Sequence, residues 1–568
     1  MSMPISGRRS LLPVAAVLFA LSAQAAERTA QTVTPPAAEP TVDLSVAPSD
    51  TLTSLGVDIL GSPGAWREIA ALNHLRNPNR IQPGQVLKIP VRLLRVDARD
   101  ARVVSVSGEV RLGDQAVASG AVVHEGQSLS TGPASSAVIE MGDGSHVRLP
   151  PSSLAQVQES RQLGARAGNA QATSGGPTPA APDGWFVGTL RVLRGSVEVL
   201  ATKVLRAKPL EVVTPTAVVG VRGTNYRVAL DPEANNRTRG EVVEGRVRFD
   251  AAGHAGGTDV AAGFAGVADA SGAKPGLVKL LPAPDLSALP EKFDRPLVRF
   301  ALPGETSALR VQVASDAGFD KIVSDQRVEP GAEIRIADLD DATWNLRARR
   351  IDPQGVEGFD ATRTFTLKAR PQPPVYRTPR ANSKQQVGDI EFAWVINPDA
   401  PRVQVQIAED EAFTKIVEQR DAVADTSIHF TLKTAGVYYW RVASVRPSGD
   451  HGPFGDPQRF ELRPDAAPPT GGRSADGKGL TFEWSGRPQD KQQVELASDP
   501  DFNQVVEKAE LTAPSWAVTP PGGGRYYFRY RSIEPDGYVT PFSDKLVIDV
   551  PRDWTPLLLL VPLLVIAF

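Results

Sequence analysis

The sequence contains no cysteine. That excludes disulfides, thiol catalysis, thiolate metal sites and a lipid-modified N-terminal cysteine. Histidine is scarce: His74, His124, His146, His254, His429 and His451 are the full set, and no two share a ligand or catalytic spacing. A nucleophile elbow, a phosphate-binding loop and a helical metal-binding motif are all missing. No catalytic residue, cofactor or metal is therefore assigned, and the chain reads as a non-enzyme. Neither sign of charge dominates, since 62 Lys and Arg face 65 Asp and Glu for a net charge of −3; nothing favours nucleic acid or another polyanion as a partner. Aromatics make up only 6% of the chain, whereas Gly and Pro number 49 each. Without a long amphipathic helix, this composition predicts short strands and many turns. At 568 residues the chain should hold several domains, which usually run to about 100–200 residues each.

The two ends are apolar. Arg8-Arg9, the run Leu11 to Leu21 and Ala23-Gln24-Ala25 read as an export signal over residues 1–25, cut after Ala25. Residues 26–43, with Pro35-Pro36, read as a linker. This places the mature chain in the periplasm or cell envelope. At the other end, 552–568 is a short tail whose part Leu557–Phe568 carries no charge. It is too short for a bilayer-spanning helix, which needs about 20 residues. Three readings stay open: a membrane contact through 557–568, a partner-docking segment, or the start of a longer segment.

Residues 44–91 read as strand, helix, turn, helix, loop, strand. Ser49-Asp50-Thr51 are good N-cap residues. Leu52, Leu55, Gly56 and Ile59 recur at helical spacing, and Gly61-Ser62-Pro63-Gly64 breaks the helix. Trp66, Ile69, Ala70 and Asn73 line a second helix, and Val86 to Pro90 close as a strand. Asp50-Thr51-Leu52, Trp66-Arg67-Glu68-Ile69-Ala70, Asn77-Pro78-Asn79-Arg80-Ile81 and Pro83-Gly84-Gln85-Val86-Leu87 resemble, in order and spacing, a LysM domain. Ser49 stands where that family usually has glycine, and Leu44 where an aromatic is common. The resemblance implies binding of N-acetylglucosamine-containing glycan, chiefly peptidoglycan, between two loops. Those loops would be Ser49, Asp50, Thr51 and Leu52 on one side and Asn77, Pro78, Asn79 and Ile81 on the other, with Leu52 and Ile81 as an apolar floor for acetamido methyls.

Residues 100–270 switch to alternating strands. Gly-centred pairs recur at Ser107-Gly108-Glu109-Val110, Arg194-Gly195-Ser196-Val197 and Glu244-Gly245-Arg246-Val247, and an all-β sandwich or barrel follows. Residues 161–183, rich in Gly, Ala, Ser, Thr and Pro, read as a disordered insertion. Ser130-Thr131-Gly132, Glu140-Met141-Gly142-Asp143-Gly144-Ser145, Thr214-Pro215-Thr216-Ala217-Val218-Val219-Gly220-Val221-Arg222-Gly223-Thr224 and Val243-Glu244-Gly245 resemble a FecR domain. That resemblance implies signal sensing through an envelope protein partner. Arg222 is either a docking residue or a buried arginine paired with a carboxylate; Asp143-Gly144 reads as a hairpin turn.

Residues 290–369, 370–464 and 465–551 repeat one unit. Phe319, Phe413 and Phe502 each follow an aspartate by three residues: Asp316, Asp410 and Asp499. Arg347, Arg441 and Arg529 follow aromatic residues and precede Pro353, Pro447 and Pro535, each two before Gly355, Gly449 or Gly537. The repeats resemble fibronectin type III modules, implying three tandem β-sandwiches that form a rod, with Trp394 and Trp484 in the cores. The expected fold is thus multidomain and mainly β. The expected function is a non-catalytic, exported envelope protein that binds peptidoglycan and carries the β-domains as a scaffold. The alternative is an envelope signal sensor acting through FecR-like protein contacts.

Overall fold

The computed structural model of the chain describes residues 39–165, 184–202, 204, 206–221, 225–254, 256–475, 479–520 and 522–551. The export segment, most of the linker, most of 161–183, Arg222 and the apolar tail lie outside these residues. The fold is multidomain and mainly β. Among the described residues, no helix is long and apolar enough to cross a membrane. The chain divides into two compact units.

The first unit draws on Met1–Arg99, Ser160–Gly188 and Val204–Pro209. Its centre is β1 (Thr41–Ser45), α1 (Leu52–Asp58), a 3-10 turn (Pro63–Ala65), α2 (Trp66–Leu72) and β2 (Val86–Pro90). The two strands pair antiparallel with Val42 opposite Ile89 and Leu44 opposite Leu87, so four apolar side chains share one face. β1 begins inside the stretch read as linker, because Val42 continues the inward alternation of Leu44 and is buried with it. Where α1 passes the 3-10 turn the backbones nearly touch: a Cβ on Gly56 would lie 2.9 Å from the Pro63 carbonyl oxygen. Asn73, at the end of α2, donates from Nδ2 to the Lys88 carbonyl at 2.8 Å and accepts the Lys88 N–H on Oδ1 at 2.7 Å. One side chain thereby satisfies the outer edge of β2, which would otherwise be open.

This small core is not closed by its own elements. Leu163, Trp185 and Val187 join Leu55, Ile59, Leu60 and Leu94 in one buried cluster. Gly164 has φ +60, and a Cβ there would lie 2.9 Å from the side chains of both Ile59 and Leu94. Arg95 donates to the Asp58 carbonyl at 3.2 Å and the Ala165 carbonyl at 2.5 Å. Residues 161–165, read as the start of a disordered insertion, are thus held in the fold, and the rest of that stretch lies outside the described residues. Arg161 to Leu163 end the strand Leu154–Leu163 and pair with Val96–Ala98. The reason is that Leu163, the one large apolar residue there, has a core to enter.

The second unit opens with a β domain of two sheets, and the three Gly-centred motifs are its corners. Before Gly108, the strand Ala101–Ser107 pairs with Ser136–Glu140 in one sheet; after it, Val110–Leu112 pairs with Ser128–Thr131 in the other. Gly195 lies inside the strand Trp185–Leu200. Before it, Thr189 to Arg191 run parallel to Leu210–Val213; after it, the strand runs antiparallel to Asn225–Asp231 in the other sheet. Gly245 marks the passage from Arg237–Glu244 to Arg246–Ala251, again between sheets. All three have φ between +72 and +83, a conformation that costs an L-residue strain and glycine little. The Thr-Pro-Thr run is structural. Thr214 and Thr216 hydroxyls each lie 2.7 Å from the buried Thr238 hydroxyl, and Thr216 donates to the Asn236 carbonyl at 2.8 Å.

Three two-sheet sandwiches follow. In the third, Thr470–Arg473, Leu480–Glu483 and Ser515–Val518 form one sheet, and Val505–Leu511, Lys491–Ala497, Gly524–Ile533 and Leu546–Val550 the other. Trp394 and Trp484 lie in the cores, as their strand positions predict. The repeated Asp-x-x-Phe motif closes a loop the same way each time. The phenylalanine takes a left-handed φ of +58, +57 or +55 at Phe319, Phe413 and Phe502. The aspartate carboxylate then accepts two backbone N–H groups beyond it: Asp316 those of Asp320 and Lys321, Asp410 those of Thr414 and Lys415, Asp499 those of Asn503 and Gln504. The ring packs beneath the repeat's arginine, with guanidinium-to-ring distances of 4.5, 3.9 and 3.9 Å for Arg347, Arg441 and Arg529.

Candidate glycan-binding site

The ladder between β1 and β2 continues past the strands. Val46 N–H donates to the Gln85 carbonyl at 2.9 Å and Gly84 N–H to the Val46 carbonyl at 2.8 Å. The loop leaving β1 and the loop entering β2 therefore start from the same end of the sheet. In the first loop, Asp50 folds its carboxylate back to accept the Ala47 N–H at 2.7 Å. Thr51 is the N-cap of α1: its Oγ1 accepts the Ser54 N–H at 3.0 Å, and Ser54 Oγ accepts the Thr51 N–H at 2.9 Å. This reciprocal box is a helix-starting device. Asp50 and Thr51 shape the loop, and Ser49 stands exposed at its tip.

Leu52 does not supply a groove floor. At 4% exposure it turns into the core with Leu55 and Ile59, because the first turn of α1 faces inward. In the second loop, Asn77 Oδ1 accepts the Asn79 N–H at 3.0 Å, a local turn bond. Asn77 and Asn79 are exposed, while Pro78 and Ile81 are half-buried. Ile81 packs on the same core as Leu52 and keeps part of its surface in solvent. The sequence-predicted residues thus divide into loop-shaping groups (Asp50, Thr51, Leu52) and accessible ones (Ser49, Asn77, Asn79, with Pro78 and Ile81). Among the described residues, no three carboxylate or imidazole groups gather where they could hold a metal.

Residues 45–90 match the family model for the LysM domain. The chain carries a LysM domain. Residues 127–248 match the model described as FecR protein. No curated protein matches the chain. Among solved structures, one described as an anti-sigma factor from Parabacteroides distasonis ATCC 8503 aligns at 14% identity over 27% of this chain, with a TM-score of 0.20. The chain covers 59% of that protein's length. The chicken CNTN1 FN1-FN3 domains align at 12% identity over 45% of this chain and 95% of theirs, with a TM-score of 0.20. Fibronectin(III)-like modules of Clostridium thermocellum CbhA align at 14% identity over 31% of this chain and 93% of theirs, also with a TM-score of 0.20. LysM is a glycan-binding domain type and FecR a signal-regulating one; neither is a catalytic type.

A second polar centre escaped the sequence reading. It lies where the FecR domain meets the first sandwich. Glu198 receives Arg347 in a bidentate pair at 3.0 and 3.2 Å and Arg349 at 2.6 Å. Arg349 also donates to Glu357 at 2.7 Å and to Asp360. Arg227 donates to Glu241 at 2.8 Å, to Asp360 at 3.1 Å and to the carbonyls of Glu357 and Gly358 at 3.0 and 2.7 Å. Burial opposes the charge on Glu198, but Arg347, Arg349 and Arg227 outweigh it and hold the carboxyl well below its ordinary range. Glu357 is lowered in the same way, against burial, by Arg310, Arg349 and Arg227. Glu241 goes the other way: burial raises it, and the pull of Arg227 only partly offsets this. The hint available in the sequence was Arg347, one of the repeat arginines. In the other repeats its counterparts bond, among the described residues, within their own sandwich, to Gln406 and Glu495.

Proposed function

We propose that this chain is an exported, non-catalytic protein of the cell envelope that binds peptidoglycan through its LysM domain and holds the FecR domain and three sandwiches as a scaffold. The observation that carries the reading is the LysM match over 45–90, with exposed Ser49, Asn77 and Asn79 on two loops that spring from one end of the sheet. Backbone groups and asparagine amides of such loops suit acetamido sugars, and the half-buried Ile81 offers apolar surface for their methyl groups. Export rests on residues 1–25, with cleavage after Ala25. The second reading, a sensor that relays envelope state to a protein partner, is favoured by the FecR match over 127–248. A membrane contact through 557–568 would add a second anchor, and two contacts on one chain raise avidity by about 10²–10⁴.

Sedimentation with insoluble sacculi tests the first reading. Removing residues 44–91 outright would strip the cover from Trp185 and Val187, so loop substitutions are the cleaner probe. A double Asn77→Ala, Asn79→Ala variant should lose about tenfold or more in sacculus affinity, a loss of roughly 1.4 kcal/mol, with unchanged thermal unfolding. Equal sedimentation of variant and parent would remove the loops from the wall contact. Release of soluble wall fragments would show a hydrolase instead. Recovery of a crosslinked envelope protein, with no wall material, would favour the sensor.

A further inference from the structure

The second and third sandwiches enclose a cleft of about 410 Å3, lined by Arg463, Arg487, Asp490, Tyr530, Ser532 and Glu534 among others. Its size is in the range of small-ligand sites, roughly 300–1,000 Å3. Two of the lining residues carry a buried polar atom that has no hydrogen-bond partner among the described residues: Asp490 Oδ1 and Arg463 Nε. Asp490 is only 4% exposed. Asp490 immediately precedes the strand Lys491–Ala497, and its N–H is fixed on the Arg487 carbonyl at 3.1 Å. Buried polar atoms are almost always paired, because desolvation without a partner is costly. A buried carboxylate without a partner in the wall of a cleft therefore points to a ligand.

The chemistry of the wall narrows the class. A buried carboxylate oxygen is best met by a cationic donor. Arg463 spends its two terminal nitrogens on Glu461 at 2.5 Å and Glu534 at 2.6 Å, leaving Nε. Arg487, partly exposed at the cleft, stands 3.8 Å from Glu534, too far for a hydrogen bond. A guanidinium in that condition matches a carboxylate in a planar fork. Tyr530 donates its hydroxyl proton to the Ala467 carbonyl at 2.9 Å, so it has no proton left to give a ligand. A pure anion would face Asp490 and Glu534, and a pure cation would leave Arg487 unmet. We propose that this cleft binds a small zwitterion of the amino-acid type, with its ammonium on the Asp490 carboxylate and its carboxylate on Arg487.

The test is calorimetric titration of the full chain with glycine, L-alanine, D-alanine and the Ala-Ala dipeptide, beside N-acetylalanine and alanine amide. At least one zwitterion should bind, and its acetylated or amidated form should bind about tenfold more weakly or worse, the loss of one charged partner. Arg487→Gln changes a surface residue and should weaken zwitterion binding about tenfold with unaltered thermal unfolding. Asp490→Asn should weaken the ammonium-bearing ligands and leave N-acetylalanine unchanged. No heat with any zwitterion would overturn the proposal, as would equal binding of alanine and N-acetylalanine or an unaffected Arg487→Gln variant. Binding of free alanine but not the dipeptide would assign the cleft to single amino acids, and the reverse would assign it to peptide ends. The LysM loops take no part in this assay.

Discussion

At the residue scale, the ionic centre between the FecR domain and the first sandwich is expensive to build and more expensive to break. Removing one partner from a buried ion pair costs about 3–5 kcal/mol, because the other charge is left without compensation. Glu198→Gln should therefore lower the unfolding free energy of this junction by about that amount, measurable by denaturant unfolding followed through tryptophan fluorescence. Acid should act on the same groups. Glu198 and Glu357 are held below the ordinary glutamate value of 4.5, so the stability they contribute is fully present above that pH and is lost as pH falls toward their folded values. Glu241 is raised, so acid relieves rather than adds to its cost. Two lowered carboxyls outweigh one raised, and the melting temperature should fall from pH 5 downward. In the Glu198→Gln variant that slope should be shallower; an identical slope would take Glu198 out of the linkage.

At the scale of elements, one hairpin does the same job three times. The Pro-x-Gly turn of each sandwich reaches back to the domain before it. Next to the first turn, Glu357 donates its N–H to Glu241 of the FecR domain at 2.8 Å. In the second, Asp450 accepts Lys368 of the preceding sandwich at 2.8 Å. In the third, Glu534 accepts Lys384 and Arg463, both at 2.6 Å. The sharp turn, with glycine at φ +83 to +88, keeps these acids at a fixed place. Lys368→Met should loosen the first-to-second sandwich junction with little effect on either fold, since Lys368 is 44% exposed and such pairs contribute only about 0–1 kcal/mol. Limited proteolysis between residues 368 and 376 should accelerate while the melting temperature holds. The corner glycines obey a harder constraint. A Cβ on Gly195 would lie 2.6 Å from Ser153 Oγ and 2.8 Å from the Ser152 carbonyl oxygen, at φ +75. Gly195→Ala should cost about 1–3 kcal/mol in thermal unfolding, the usual size of a strained backbone position.

At the scale of the whole molecule, the LysM domain is stabilised by chain that comes long after it. Trp185 and Val187 complete its core from residues about a hundred positions downstream. Trp185→Ala should destabilise the LysM unit by about 3–5 kcal/mol, the cost of emptying a large buried site. Hydrogen exchange of α1 and α2 should report it, while the third sandwich keeps its protection. A LysM domain whose exchange ignored Trp185 would be independent of that strand.

The sequence by itself determined the local devices. Helical spacing of Leu52, Leu55, Gly56 and Ile59 marked α1, the Asp-x-x-Phe spacing marked one unit three times over, and the Gly-centred pairs at Gly108, Gly195 and Gly245 marked an all-β domain. Each of these is a short-range rule, in which a few neighbouring residues carry the whole physical reason. The tertiary structure alone decided the rest. Leu52 was legible as a helix-face residue and also as a groove floor, and only its packing against Leu55 and Ile59 settled which. Arg347 was legible as a repeat arginine, but its partner Glu198 lies 149 positions away. Asp490, with no side-chain partner among the described residues, looks like an ordinary surface residue in a polar stretch; its burial is set by what packs around it in space. Charge pairing and desolvation depend on what surrounds a side chain in space, and spacing along the chain carries no trace of it.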